Sequence, residues 1–335
     1  GVAGGRPSTP LGVNGDALDR PPRDERGFTL RVNVGEQCQY DCGYCRPGLV
    51  RAPTGASQRV QPAEYARLAA LFAPLGVKKV RFTGGEPLLR PDFREVVAAF
   101  HQALPDATLA LTTNGQRLDA LLDALPPGLS AVTVHVDSLQ GDRYRQLMGE
   151  GEVSAVLASV LRAKAMGLAT KLNAVVQRGL NDDELPGFLA WSRRTGLEVR
   201  FIELMNTGSA SEFTRAHFFA GAEVVARLGA TRLGRKNVAD PACLFRATDG
   251  TIFGLIASDT APFCEDCARL RLSADGRLRG CLYEADGAPL GALLRAGWSD
   301  AMLSGVVQRA VMGKRSHHPS LALPRGQFSM ADLGG

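Results

Sequence analysis

No stretch of the 335-residue chain approaches the roughly 18 consecutive apolar residues that a membrane-spanning helix requires, and its N-terminus carries no apolar export segment. A cytoplasmic protein with no membrane partner is the expectation. Charge of one sign is not in large excess: 39 Lys and Arg against 34 Asp and Glu leave +5, spread along the chain. That balance suits an anionic small molecule better than a nucleic-acid track, and no aromatic-interleaved basic stripe is present. No solenoid or propeller repeat occurs. A disulfide framework is also missing, because seven cysteines is an odd total and six of them fall into two groups of three. Clustered thiols in a reducing compartment point instead to metal or redox chemistry. The seventh, Cys243, reads as a small buried hydrophobe.

What remains is a normal globular composition, 45% hydrophobic and 22% charged, able to bury one large core or two smaller ones. Residues 1–27, rich in Gly, Pro and Arg, read as a disordered leader. Six β-rich runs then alternate with amphipathic helical stretches. The expected strands are Phe28–Val34, Val77–Thr83, Ala107–Thr112, Ala131–Asp137, Thr170–Val176 and Leu197–Leu204, and helices are expected at Pro62–Leu75, Pro91–Leu104, Gln116–Leu125, Val153–Ala165 and Asp182–Thr195. Such alternation implies an α/β protein with a parallel sheet, either doubly wound or a barrel, and six units favour a partial (βα)6 TIM-like barrel. Chemistry would sit at the carboxyl ends of the strands. After about residue 235 the rhythm gives way to a hairpin, Arg269–Ser273 and Leu278–Tyr283 around the Asp275-Gly276 turn, and a helix at Ser299–Met312. We therefore expect a barrel over 28–235 and a second region over 236–335.

The loop after the first strand carries Cys38, Cys42 and Cys45 as C-x3-C-x2-C. Three thiols leave one iron of a [4Fe–4S] cluster open to a small-molecule ligand, whereas zinc ribbons usually supply two spaced pairs. The second strand runs into Thr83-Gly84-Gly85-Glu86-Pro87, where glycines allow close backbone approach and the carboxylate can accept from an ammonium. A second trio, Cys264, Cys267 and Cys281, again lacks a fourth thiol. It reads either as a zinc ribbon completed by Cys243, His317 or His318, or as a second cluster whose free iron faces substrate. Basic residues recur on the expected strands: Arg31, Lys79, Arg81, Lys171, Arg200, Arg269 and Arg271. Lys79 and Arg81, two apart, share a face, as do Arg269 and Arg271. If these face an enclosed lumen they need an anion, and a triphosphate supplies about four negative charges.

The cysteine loop and GGEP segment resemble the radical S-adenosylmethionine (SAM) superfamily, in which the open iron binds SAM and the reduced cluster cleaves it to methionine and a 5′-deoxyadenosyl radical. Further segments, LRVNV, VRFTGGEPLLRPDF, LTTNG, TKLNAVVQRGLND, VRFIELM, FCEDCARLRLSADGRLRGCLY and FSMADLGG, follow one another as in the GTP 3′,8-cyclase family of molybdenum cofactor biosynthesis. The resemblance implies a radical SAM partial barrel, closed on its open side by an α+β region that holds a second cluster. It implies a [4Fe–4S] cluster on Cys38, Cys42 and Cys45, with Tyr44, Gly85, Glu86, His135 and Met205 around SAM. It places a second [4Fe–4S] cluster on Cys264, Cys267 and Cys281. GTP would meet Arg31, Lys79, Arg81, Thr112, Lys171, Arg200, Arg269 and Arg271, and the terminal Gly334 and Gly335 would reach into the site. The implied reaction takes the ribose C3′ hydrogen, joins C3′ to guanine C8 and yields 3′,8-cyclo-7,8-dihydro-GTP. A flavodoxin or ferredoxin as electron donor, transfer of product to a cyclic pyranopterin monophosphate synthase, and a homodimer also follow from the resemblance.

Three departures surround the SAM side. Asn33 to Gln37 replace the family's usual lead into the loop, Arg46 stands where Met commonly follows the third cysteine, and His135 stands where a serine is expected. Two alternatives stay open. One is a radical SAM peptide maturase with an auxiliary cluster; the other, of a different class, is a non-catalytic zinc-ribbon protein that binds nucleic acid.

Overall fold

Alternate residues of the expected strands divide into an apolar set and a charged set, and the structure puts the two sets on opposite faces of one sheet. A computed structural model of the chain describes residues 27–45, 54–55, 58–205, 210–237, 240–284 and 286–314. The expected leader therefore lies almost wholly outside the described residues, as do Arg46, His317, His318, Gly334 and Gly335.

Eleven strands are described: β1 Phe28–Asn33, β2 Val77–Thr83, β3 Thr108–Thr113, β4 Leu129–His135, β5 Ala169–Val176, β6 Glu198–Glu203, β7 Thr231–Gly234, β8 Cys243–Arg246, β9 Ile252–Ile256, β10 Arg269–Leu272 and β11 Leu278–Arg279. Their order across the sheet is β11-β10-β1-β2-β3-β4-β5-β6-β9-β8-β7. Strands β1 to β6 run parallel in sequence order, β10 joins β1 in parallel, and β9 joins β6 in parallel. The six-unit open barrel is thus present, and C-terminal strands extend both of its edges.

Ten α-helices are described: α1 Pro62–Phe72, α2 Phe93–Ala103, α3 Leu118–Leu122, α4 Gly141–Met148, α5 Val153–Ala165, α6 Leu185–Thr195, α7 Ser211–His217, α8 Gly221–Arg227, α9 Leu290–Arg295 and α10 Asp300–Met312. Local chemistry sets their ends. Pro62 opens α1, and Glu64 reaches back to accept from the Gln61 backbone N–H at 2.8 Å. Gly196, at φ 67°, ends α6 in the left-handed conformation that glycine adopts without strain. The apolar strand set, including Leu30, Val80, Leu109, Leu172, Val199 and Phe201, is completely buried in one core with Leu68, Phe100, Val160 and Phe188 of the helices. Burying each such side chain contributes about 1.5–3 kcal/mol, so the helical layer fixes which face is inward.

Several boundaries differ from expectation. The second hairpin strand was expected to reach Tyr283 but covers only Leu278–Arg279. Gly280 turns its N–H to the Glu284 carboxylate at 2.8 Å and its carbonyl to Lys314 Nζ at 2.6 Å, and these partners end the ladder. Strands β7, β8 and β9 were not anticipated, being four or five residues long and without strict alternation. They form an antiparallel meander, and the expected division near residue 235 falls inside it, between the paired β7 and β8. No helix among the described residues is long and apolar enough to cross a membrane.

Candidate active site

The first cysteine loop leaves the carboxyl end of β1 and is held by the carboxyl ends of the next strands. Gly85 N–H donates to Gly35 O at 2.8 Å, and Glu86 N–H donates to Gln37 O at 2.7 Å. A Cβ on Gly85 would stand 2.4 Å from Gln37 O, and one on Gly84 would stand 2.3 Å from Gly35 O. The two glycines therefore exist for backbone-to-backbone contact with the cysteine loop. Glu86 stands where these contacts place it, at the carboxyl end of β2 beside the cysteine loop. Its buried carboxylate accepts from Leu88 N–H (3.0 Å), Thr113 Oγ1 (2.8 Å) and Asn114 N–H (2.8 Å), which ties the ends of β2 and β3 together. Burial raises its pKa.

Cys38 Sγ accepts from Tyr40 N–H at 3.4 Å and from Asn114 Nδ2 at 3.8 Å, and Cys45 N–H bonds Cys42 O at 2.8 Å. Asn114, in the TTNG segment, is a loop-holding residue that sequence reasoning did not single out. Burial, then Asp137 and the other two thiols, push the Cys42 thiol well up, so an isolated thiolate there is disfavoured until a metal centre compensates it. Tyr44 and His135, from the loop and the end of β4, meet over a residue also missed: Tyr44 Oη donates to Asp137 Oδ2 at 2.8 Å, and His135 Nε2 lies 2.5 Å from Tyr44 Oη and 3.0 Å from Asp137 Oδ1. Burial opposes protonation of His135, but Asp137, by charge and by hydrogen bond, outweighs it and raises the pKa. Met205 follows the end of β6 and accepts from Thr214 Oγ1 through its carbonyl at 3.4 Å. Every residue expected around SAM thus lies at the carboxyl ends of the strands.

The charged face of the sheet lines the lumen, and registry collects the expected basic residues there. Arg31 stands beside Arg81 on one side and Arg271 on the other, while Thr29 separates Lys79 from Arg269 in the neighbouring row. Thr112, Thr133, Lys171 and Glu198 form another continuous row across β3 to β6. Arg81 Nη1 donates to the hydroxyls of Thr112 (2.9 Å) and Thr133 (3.0 Å). Desolvation, followed by repulsion from Arg271, Arg81 and Arg269, carries Arg31 well below the usual arginine range. The same two causes bring Arg81 and Arg271 to about 10. Burial, then Arg81, Lys171 and Arg200, lowers Lys79 to about 8. Among the described residues the buried Nε atoms of Arg269 and Arg271 have no hydrogen-bond partner. A cluster of this sign, desolvated and mutually repelling, has the electrostatics of a polyanion site.

The second trio gathers at the other end of β1. Cys264 and Cys267 precede β10, with Cys267 N–H bonded to Cys264 O at 3.2 Å, and antiparallel β11 carries the chain back so that Cys281 returns to the same end. Six-residue β1 runs between the trios, a strand length of about 20 Å at the usual rise. Lys314, unforeseen from the sequence, puts Nζ 3.6 Å from Cys267 Sγ, anchored by Arg269 O at 2.8 Å and Gly280 O at 2.6 Å. Burial would raise the Cys267 pKa, but Arg269 and Lys314 outweigh it and bring it to about 6. The Arg269 guanidinium lies 4.5 Å over the Phe263 ring. Cys243 lies on β8, half-buried against the core.

The chain is similar to known proteins along most of its length. The radical SAM superfamily matches residues 32–191, and the Molybdenum Cofactor Synthesis C family matches residues 197–320. A GTP 3′,8-cyclase of Edwardsiella ictaluri (strain 93-146) is 39% identical over 299 residues, covering 87% of this chain and 91% of the relative. One of Stenotrophomonas maltophilia (strain R551-3) is 39% identical over 318 residues, covering 91% and 96%. The chain belongs to the GTP 3′,8-cyclase family. Among solved structures, Streptococcus suis SuiB bound to S-adenosylmethionine superposes with a TM-score of 0.57 at 13% identity, over 84% of this chain and 67% of SuiB, and shares the fold. Membership of the cyclase family within the radical SAM superfamily implies a [4Fe–4S] cluster and SAM. The three-thiol loop fits them, because its donors are soft, partly sequestered and one short of a complete set.

Proposed function

We propose that this protein is a GTP 3′,8-cyclase that converts GTP to 3′,8-cyclo-7,8-dihydro-GTP, the first step of molybdenum cofactor biosynthesis. The observation that carries the reading is the lumen itself: Arg31, Lys79, Arg81 and Arg271, desolvated and repelled by neighbouring cations, lie with Arg269 along the strands that separate two cysteine trios. Cys38, Cys42 and Cys45 would hold one [4Fe–4S] cluster, with Tyr44, Gly85, His135 and Met205 placing SAM against it. Cys264, Cys267 and Cys281 would hold a second, and their donor set fits: Cys267 is kept as thiolate near neutral pH by Arg269 and Lys314. When bound, a cluster on Cys38, Cys42 and Cys45 would supply the one-electron chemistry of SAM cleavage.

The chain's own residues do the rest by position. The basic rows bind the triphosphate and ribose, Thr112 and Thr133 fix the angle of Arg81, and strand length keeps SAM and guanine at opposite ends of one lumen. A non-acidic C–H bond cannot be opened by a side-chain base, so orientation and exclusion of water are what this protein can contribute. Peptide maturation finds little support in a lumen lined by arginine and lysine. We further propose that residues 28–235 serve radical generation and 236–335 the second cluster, a division of labour within one sheet that the β7–β8 pairing crosses. A flavodoxin- or ferredoxin-type donor and a pyranopterin synthase acting on the product complete the reading.

Anaerobically reconstituted protein tests it. About eight irons per chain, as two four-iron clusters require, and 5′-deoxyadenosine formed only when GTP is present support the cyclase. Bound zinc with no visible cluster absorption overturns it.

A further inference from the structure

The acidic residues of the lumen have no part in the scheme above. Glu198, opening β6, accepts from Lys171 Nζ at 3.1 Å, from Arg200 Nε at 2.5 Å and from Lys236 Nζ at 3.0 Å. Asp240, on the turn before β8, takes Arg200 Nη1 and Nη2 at 3.1 Å each, a bidentate pair. Two of the cations assigned to GTP, Lys171 and Arg200, are therefore already held by protein carboxylates, whereas Arg81 is held by neutral hydroxyls. Gly254, opposite Arg200 on β9, makes the arrangement possible: a Cβ there would stand 2.8 Å from Arg200 Cγ. Lys171, Arg200 and Lys236 carry three positive charges against the two negative charges of Glu198 and Asp240, which leaves one uncompensated.

A guanidinium fork matches a carboxylate and a phosphate in the same geometry, so one can replace the other without re-aiming the side chain. A half-buried cation with no partner is costly, so a resident carboxylate keeps it charged and pointed. We propose that Glu198 and Asp240 are exchangeable counter-ions, displaced from Lys171 and Arg200 by the nucleotide's phosphates, so that they set affinity according to phosphate number. Binding and release of the polyanion are then an exchange of anions on fixed cations, and the carboxylates lower affinity enough for the product to leave. This inference rests on the GTP reading above.

Titration calorimetry of guanosine, GMP, GDP and GTP against the anaerobically reconstituted full chain tests it, using wild type, Glu198→Gln and Asp240→Asn. The expected gain is absent for guanosine, grows along the series and reaches roughly tenfold for GTP, with a steeper salt dependence. A uniform change across the series, or weaker GTP binding, would make the carboxylates structural and overturn the proposal. Weakening confined to buffers with Mg²⁺ would make them metal ligands, and overturn it equally. If Glu198→Gln does not fold, Asp240→Asn on its turn carries the test alone. Wild type that binds none of the four fails the GTP reading itself, and the proposal with it; wild type that binds GTP beside unaltered variants fails the proposal only.

Discussion

Lys79 shows how a single half-buried cation reports on its ligand. Burial and three neighbouring cations bring it to about 8, and a bound triphosphate would raise it again. Below about pH 8 the ammonium is already charged and GTP binding is insensitive to pH; above it, binding must take up a proton and weakens as pH rises. Calorimetry near pH 8.5, roughly where half or more of Lys79 is neutral, should therefore give enthalpies that differ between buffers of unlike ionisation enthalpy, and Lys79→Met should abolish the difference. The same depression disfavours the fold at neutral pH, and that deficit shrinks as pH climbs from about 8 towards the ordinary 10.5. Arg269 makes a second test. Arg269→Ala should weaken GTP binding by about tenfold or more, as loss of a charged hydrogen-bonding group does, and leave SAM binding unchanged; equal loss of both would place Arg269 elsewhere. The basic residues were legible from the sequence because charge at alternate positions of several strands has no packing explanation. Their acid partners were not, since Glu198 and Asp240 reach Arg200 from the same strand and from a turn 40 residues away.

Loops and strands raise a different question, namely what fixes each cysteine trio. The first is fixed by backbone contact. Gly85→Ala would force a Cβ to within 2.4 Å of Gln37 O, so this variant should lose about half of the bound iron, one of two clusters, together with all SAM cleavage. Cys281→Ala should act on the other trio: SAM cleavage persists but becomes uncoupled, and cyclised product disappears. Iron analysis and 5′-deoxyadenosine yield separate the two cases, and identical losses in both variants would contradict independent clusters. Much of the underlying structure could be read locally. Strand β2 and helix α5 have the bounds expected of them, because alternation and periodicity determine both ends. The edge strands could not be read so. That β10 lies beside β1 and β9 beside β6 depends on registry between segments more than 50 residues apart, and neither segment announces a neighbour. Lys314 escaped for the same reason, as its partners lie 34 to 47 residues away.

Across the whole molecule one sheet does two jobs. Its apolar face, covered by helices, supplies the stability; its charged face spaces the two cysteine trios and, in the function proposed here, binds the nucleotide. The arginines at its centre oppose folding through desolvation and repulsion, and the layer of fully buried Leu, Val and Phe behind them offsets that penalty. Bound polyanion should therefore stabilise the fold measurably: saturating GTP should raise the melting temperature of the reconstituted protein by several degrees, about 2.7 kcal/mol at a hundredfold excess over Kd. Guanosine should give little of that shift, because the stabilisation comes from the phosphates. The most direct test follows one hydrogen atom. GTP deuterated at C3′ is supplied with SAM and a reductant under anaerobic conditions, and the 5′-deoxyadenosine is weighed by mass spectrometry. Deuterium in the 5′-deoxyadenosine, in step with cyclised nucleotide, is the result expected of a lumen that holds the ribose against the SAM end. 5′-Deoxyadenosine that carries no deuterium would contradict it.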